Sequence, residues 1–535
     1  MNTIYYNGNI YVERDRFVQA MLVSDGMVQK IGTLEEVTEG LCPKCEREMI
    51  DLEGRTVIPG FNDSHNHILN TGTALSCVIL YGTTAMAELI EKGRDFMAAH
   101  PMNAGDVLVG TGWNQDYFTD EQRIPTRYDL DKITTEYPVI FTRTCGHMLV
   151  CNSKALEVAG IEKGFAPIPG GEIYTDENGE PNGQFSENAQ AVIRAIVPAE
   201  TAESLSGKLN IAMAYAASLG ITTLQTNDIS GDAWRTTEEA FRMTYANNPN
   251  AVRTYNQCAF TDTATYQDFL DAGHKTGTGD DMFRFGPLKM FVDGSLGART
   301  ALMRTPYADD PTTCGVPTMT VENFEAMVKL ADDNNCQVAV HAIGDGAIEM
   351  VLNAYDKVIE DRNNKNRHAI IHCQITDKEM VQRFYDKDVL AQVQPIFIHY
   401  DMNVVAERCG EEMASTSYAF GDMYRMGIHT SFGTDSPVED LQPFNNLYCA
   451  VTRKRLDGQR TYREDQCVDI YDAVDQYTIG SAYVEFAEDR KGRLMPGYLA
   501  DFAVLDRNIF TVPSDEIKDV QCVRTVIGGR TVFAR

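Results

Sequence analysis

From residue 220 to residue 435 the chain repeats one pattern: a short apolar run, a loop, and a stretch with helical periodicity. The runs are GITTLQT, GPLKMFVD, CQVAVHAI, HAIIHCQI, LAQVQPIFI and HTSFGTD, and NFEAMVKLADDNN and GAIEMVLNAYDKVIEDRN are two of the intervening stretches. Strands that alternate with helices build a parallel sheet with both faces covered. With a first strand that ends in His65 and His67, roughly eight such units and His or Asp at their ends predict an α/β fold, a (β/α)8 TIM-type barrel over residues 58–487. A doubly wound open sheet is the alternative, but no G-x-G-x-x-G turn opens a helix here.

The flanks read differently. Residues 1–57 are short alternating runs cut by turns, with Asn7-Gly8 and Asp25-Gly26 as hairpin signals in a small antiparallel unit. Similar runs return only in 488–535, as LADFAVLD and VRTVIGGRTVF. Either end alone offers too few strands to bury a face, so the two should complete one small β-sandwich domain together. Residues 71–197 exceed one βα unit and are expected to hold a barrel strand and helix with a large insertion that roofs the active-site face.

Composition removes several function classes. The 535 residues carry a net charge of -30, which repels nucleic acid and anionic membrane in the absence of a basic patch. Arg453 to Arg455 is the nearest candidate, and it reads as a solvated face. No uncharged run approaches the roughly 18 residues of a membrane span, and the first residues lack the pattern of a signal peptide. Thirteen cysteines, an odd number scattered through the chain, fit reduced thiols in the cytoplasm. Cys42 and Cys45 form CPKC, but a zinc ribbon needs a second pair that the chain lacks, so a turn is expected.

Chemistry is expected at the carboxyl ends of the barrel strands. His65 and His67, separated by one residue, point their imidazoles the same way from the end of the first strand. His341 ends QVAVH, His372 ends HAIIH, and Asp435 follows SFGT. His368 shares a face with His372 but lies about 13 Å down the strand, at the far end. Four strand-end imidazoles and a carboxylate together point to a metal site, although each alone reads equally as a hydrogen-bonded loop residue. Lys289 shares a strand face with Asp293. A buried lysine must be paired or altered, so it either bridges to Asp293 or carries a carboxyl group from carbon dioxide.

GFNDSHNH, Lys289, His341, His372 and Asp435, in that order, resemble the metal ligands of the amidohydrolase superfamily. GWNQDYF with PTRYDLDKIT, GHMLVCNSKALEVAGI, GGEIYTDENGEPNG, FVDGSLGARTA, VAVHAIGDGA, FGTDSPV and LMPGYLADFAVLD narrow the resemblance to amidohydrolase family 3. That branch includes YtcJ-like proteins and N-substituted formamide deformylases, and the likeness runs nearly end to end.

The resemblance implies that His65 and His67 hold one divalent ion, His341 and His372 a second, and a carboxylated Lys289 bridges them. Asp435 would ligate the first ion and act as general base. One or two ions are expected, zinc first among them, for hydrolysis of an amide, formamide or cyclic amide C–N bond by metal-activated water. Trp113 and His147 lie in segments similar to the family's pocket-lining stretches and are expected to bind substrate, with packing as the alternative. His399, at the end of QVQPIFIH, either faces the site or caps a strand, and Arg299 binds a carboxylate or steadies its loop. Expected partners are a small amide-type molecule and a second copy in a homodimer. An esterase, lactonase, phosphoesterase or isomerase on the same barrel is one alternative, and a non-catalytic scaffold is the other.

Overall fold

Eight strands pair in parallel, each with its neighbour in chain order: β1 Phe61–Asn66, β2 Ile221–Thr226, β3 Arg253–Ala259, β4 Phe283–Phe291, β5 Val338–Ala342, β6 Ala369–His372, β7 Leu390–Val393 and β8 Thr430–Phe432. The computed structural model describes residues 2–42 and 46–535. Every residue of β1, β2, β6, β7 and β8 is buried, as strands covered on both faces must be. The covering helices follow from apolar spacing. In Val321–Asp333 the buried Phe324, Met327, Val328 and Ala331 form one stripe, and Thr320 caps the start by accepting from the Asn323 N–H.

Side chains and loop amides join β8 to β1. The Thr434 N–H and hydroxyl donate to the Asp63 carboxylate, which also accepts from the Tyr477 hydroxyl at 2.9 Å, and the Asp435 N–H donates to the His65 carbonyl at 2.8 Å. Gly433 lies so close to β1 that a Cβ there would meet the His65 backbone nitrogen at 2.6 Å.

The two ends of the chain share a sandwich. Met27–Gly32, Ala20–Ser24, Asn2–Tyr6 and Arg47–Asp51 form one sheet, and the other mixes N-terminal strands with Phe502–Leu505, Cys522–Ile527 and Arg530–Ala534. Tyr5, Met21, Val57, Phe502 and Val526 pack in the core they share. Asp25-Gly26 and Gly528-Gly529, all at positive φ, make the tight hairpins their sequences favour. Asn7-Gly8 does not make a hairpin: the strands on either side of it belong to different sheets, and Asn2–Tyr6 pairs in parallel with Arg47–Asp51. The expectation of a purely antiparallel unit is corrected accordingly. Arg253 on β3 forms a buried two-pronged ion pair with Asp501 at 2.7 and 3.0 Å, which ties the sandwich to the barrel.

Gly72–Ser204 is a compact unit in its own right. It contributes no barrel strand, contrary to the expected strand-and-helix reading of this segment. Its six strands form a separate sheet in the order Gly171–Thr175, Pro181–Glu187, Met148–Cys151, Val139–Arg143, Leu108–Trp113, Val78–Ile79.

Among the described residues no helix is long and apolar enough to cross a membrane. The run at Arg453 is no solvated face. Arg453 is 1% exposed, burial pulls its guanidinium down to about 10, and it donates to the Tyr462 carbonyl. Lys454 and Arg455 pair with Asp515 and Asp457. Cys45 of the CPKC run lies outside the described residues.

Candidate metal centre

The ends of β1, β5, β6 and β8 bring five of the expected side chains together. His65 is the penultimate residue of β1 and His67 follows its end, with ring centres 5.3 Å apart. Both Nε2 atoms stand 3.3 Å from Asp435 Oδ1. The His372 ring lies 5.4 Å from that of His65 and 4.5 Å from that of His341. One ligand atom each from His65, His372 and Asp435 falls within 4.8 Å of the other two. This tightest set takes one histidine from each of the two pairs expected from sequence. His372 and Asp435 adopt φ of 80° and 58°, the left-handed region, which costs a non-glycine residue about 1 to 3 kcal/mol.

Each imidazole is oriented by its other nitrogen. His65 Nδ1 donates to Gln257 Oε1 at 2.7 Å, His372 Nδ1 to Gln394 Oε1 at 2.7 Å, and His67 Nδ1 to the Asn227 carbonyl at 3.0 Å. The Gln257 amide in turn donates to the Ser64 carbonyl at 3.0 Å, which fixes its orientation. His341 is reversed, with Nε2 donating to the Gly294 carbonyl at 2.9 Å. A carbonyl oxygen only accepts, so the lone pair is left on Nε2 of His65, His67 and His372 and on Nδ1 of His341. This is the usual outer support of a metal-binding histidine.

Four buried atoms here lack any hydrogen-bond partner: His65 Nε2, His372 Nε2, Asp435 Oδ1 and Lys289 Nζ. Burial, then the nearby Lys289, pushes His65 down to about 4. Burial, then His341, puts His372 well below the usual range. Burial alone would raise Asp435, but the surrounding histidines outweigh it and hold the carboxyl well below the carboxylate range. Burial also lowers His67, but the Asp435 carboxylate outweighs it and the net shift is upward. Buried neutral nitrogens beside an ionised carboxylate are a donor set that fits a divalent metal ion.

Lys289, on β4, is fully buried, and burial brings its amine down to about 7 against the pull of Asp435 and Asp293. Its Nζ lies 4.3 Å above the Phe291 ring. It forms no bridge to Asp293. That carboxylate accepts from the backbone N–H groups of Leu302, Ile343 and Gly344 instead, and so ties the loop after β4 to the loop after β5.

Trp113 and His147 lie in the Gly72–Ser204 unit. Trp113 has no exposed surface, packs in that unit's core and donates its indole N–H to the Phe141 carbonyl at 3.0 Å. It is a packing residue, which corrects its expected contact with substrate. His147 is exposed and lies 3.1 Å from Glu187. His399 ends no strand; it lies in the short helix Ile398–Asp401. Arg299 pairs with Asp309 within its own loop, and His368 meets Asp332 at the far end of the barrel. Gln257, Gln394, Asn227 and Asp293 are the functional neighbours that sequence reasoning did not assign. Only Asp293 carried a signal, its shared strand face with Lys289.

A model described as the amidohydrolase family matches residues 48–533. YtcJ of Bacillus subtilis, which carries the name amidohydrolase, is 31% identical over 548 residues, covering 100% of both chains. An N-substituted formamide deformylase of Arthrobacter pascens is 26% identical over 547 residues, 98% of this chain and 96% of that one. The crystal structure of an uncharacterized metal-dependent hydrolase from Pyrococcus horikoshii superposes with a TM-score of 0.75 at 28% identity, covering 96% of this chain and 99% of the other.

Proposed function

Because the chain belongs to the amidohydrolase family, we propose that it is a metal-dependent hydrolase that breaks the C–N bond of a small amide, formamide or cyclic amide. The observation that carries this reading is the set of partnerless buried atoms on His65, His372 and Asp435, three residues whose ligand atoms lie within 4.8 Å of one another. The likeness to an N-substituted formamide deformylase over nearly the whole length supports the formamide class.

His65, His67, His341, His372 and Asp435 would hold one or two divalent ions, with zinc the first choice for imidazole and carboxylate ligands. Such an ion supplies a Lewis acid for the substrate carbonyl and lowers the pKa of water from near 16 toward about 7. Asp435, ionised at neutral pH, accepts the proton of the attacking water and returns it to the departing nitrogen, which leaves as an amine. Gln257, Gln394 and the carbonyls of Asn227 and Gly294 hold each ring in the tautomer that turns a lone pair inward.

Lys289 is the residue for a carbamate. Its amine, brought down to about 7, is substantially neutral near pH 7; it attacks carbon dioxide, the new N–C bond forms and one proton departs. An anionic ligand then replaces a buried amine that had no hydrogen-bond partner. A cytoplasmic setting belongs to the same proposal, supported by buried thiols such as Cys258 and Cys373.

The test is a panel of N-formyl, N-acyl and cyclic amides beside matched esters and lactones, run with metal-loaded protein. Amide turnover that chelation abolishes, and that Asp435→Asn cuts by about 100-fold or more, is the expected result. Turnover of esters or lactones alone would overturn the C–N assignment.

A further inference from the structure

The loops that follow β4 to β8 line an open cleft of about 350 Å³. Its wall is built just beyond the ligand positions: Ile343 comes two residues after His341, Gln374 two after His372, and Val438 three after Asp435. Phe397, also in the wall, stacks on the His372 ring at 5.8 Å and 11°. The wall thereby touches a ring whose Nε2 is buried without a protein partner, on a residue 1% exposed.

The charge of the wall is one-sided. Asp401 and Glu439 both line it, and neither forms an ion pair among the described residues. Asp401 accepts only from the Gln374 amide and the Tyr418 hydroxyl, each at 2.8 Å. Asp440 adds a third negative charge beside Glu439. Among the described residues, the cation felt at His399 is Arg455, and it is already bound to Asp457 at 2.6 Å. Burial raises Asp401 to about 6, and burial with repulsion from Asp401 and Asp440 raises Glu439 to about 7. Carboxylates that share a cleft without a cation are costly, and a positive group from solution relieves that cost. The rings of Phe397 and the exposed Tyr400 offer faces on which such a group can rest.

We propose that this cleft is the specificity pocket of the enzyme and that the substrate is an amide whose far end carries a guanidinium- or ammonium-type cation, received by Asp401 and Glu439. The assignment rests on the metal centre being the reacting end of the site. The two cations share one chemistry, and a matched pair of non-reacting probes reads it independently of turnover.

Isothermal titration of the metal-loaded protein at pH 8, where both carboxyls are ionised, compares benzylguanidinium with its neutral isostere benzylurea. The cation should bind at least about tenfold tighter, and Glu439→Gln should reduce that ratio to about threefold or less. Asp401→Asn serves as the second variant should the first not fold. Equal affinity for the two probes, or a ratio that neither variant changes, overturns the proposal. A cation preference without hydrolysis of any amide would keep the pocket and reject the hydrolase reading. Amide hydrolysis without the preference would do the reverse.

Discussion

Asp435 donates its backbone N–H to the His65 carbonyl at 2.8 Å while its carboxylate stands 3.3 Å from the Nε2 of the same histidine. The pair joins the last strand to the first and sets two candidate ligands side by side. Closing the barrel and assembling the site are therefore one structural event, and changes that disturb the first should be felt in the second.

Gly433 is the sharpest probe of that coupling. A Cβ there would meet the His65 backbone nitrogen at 2.6 Å and its oxygen at 2.9 Å, and backbone cannot move aside as a flexible side chain can. Gly433→Ala should cost about 1 to 3 kcal/mol and weaken metal binding, both read on one sample by thermal melting and metal titration. A variant that melts lower but binds metal as tightly as the parent would show that closure and site are independent.

The outer partners of the imidazoles should matter almost as much as the ligands. Gln394→Leu removes the acceptor for His372 Nδ1 and frees the ring to take the wrong tautomer. The expected loss is about 10- to 100-fold in metal affinity, measured by competition with a chelator of known strength. Unchanged affinity would mean that Gln394 only fills space.

The Arg253–Asp501 pair makes a prediction in pH. Burial would raise the Asp501 carboxyl, but Arg253 outweighs it, so its folded pKa is depressed. Such a group contributes stability that is complete above its unfolded pKa of about 3.9 and is lost as pH falls through its lower folded value. Asp501→Asn should therefore cost roughly 3 to 5 kcal/mol near neutrality, with the gap to the parent narrowing below about pH 4. Urea midpoints collected across that range check it; a gap independent of pH would deny the pair its role.

The sequence made the barrel legible where apolar runs recur, and the ligand set legible because strand ends are where a barrel keeps its chemistry. Strand β3, RTYNQCA, escaped because its side chains are polar. Arg253 is paired with Asp501, and the side-chain NH2 groups of Asn256 and Gln257 donate to the Arg284 and Ser64 carbonyls, partners distant in sequence. Gln257 and Gln394 escaped for the same reason, since an amide that orients a histidine leaves no periodic trace. Trp113 read as a pocket residue because its segment resembles the family's pocket-lining stretches, a likeness that a core tryptophan shares, so only its burial separates the two readings. The left-handed backbone at His372 and Asp435 likewise has no sequence signature, as neither residue is glycine.

The most direct test of the account is elemental analysis of the purified protein joined to an activity assay. The account predicts about one to two equivalents of zinc or a similar divalent ion per chain, amide hydrolysis that disappears on chelation, and recovery when the metal is restored. Metal-free protein that hydrolyses amides at the undiminished rate would contradict it.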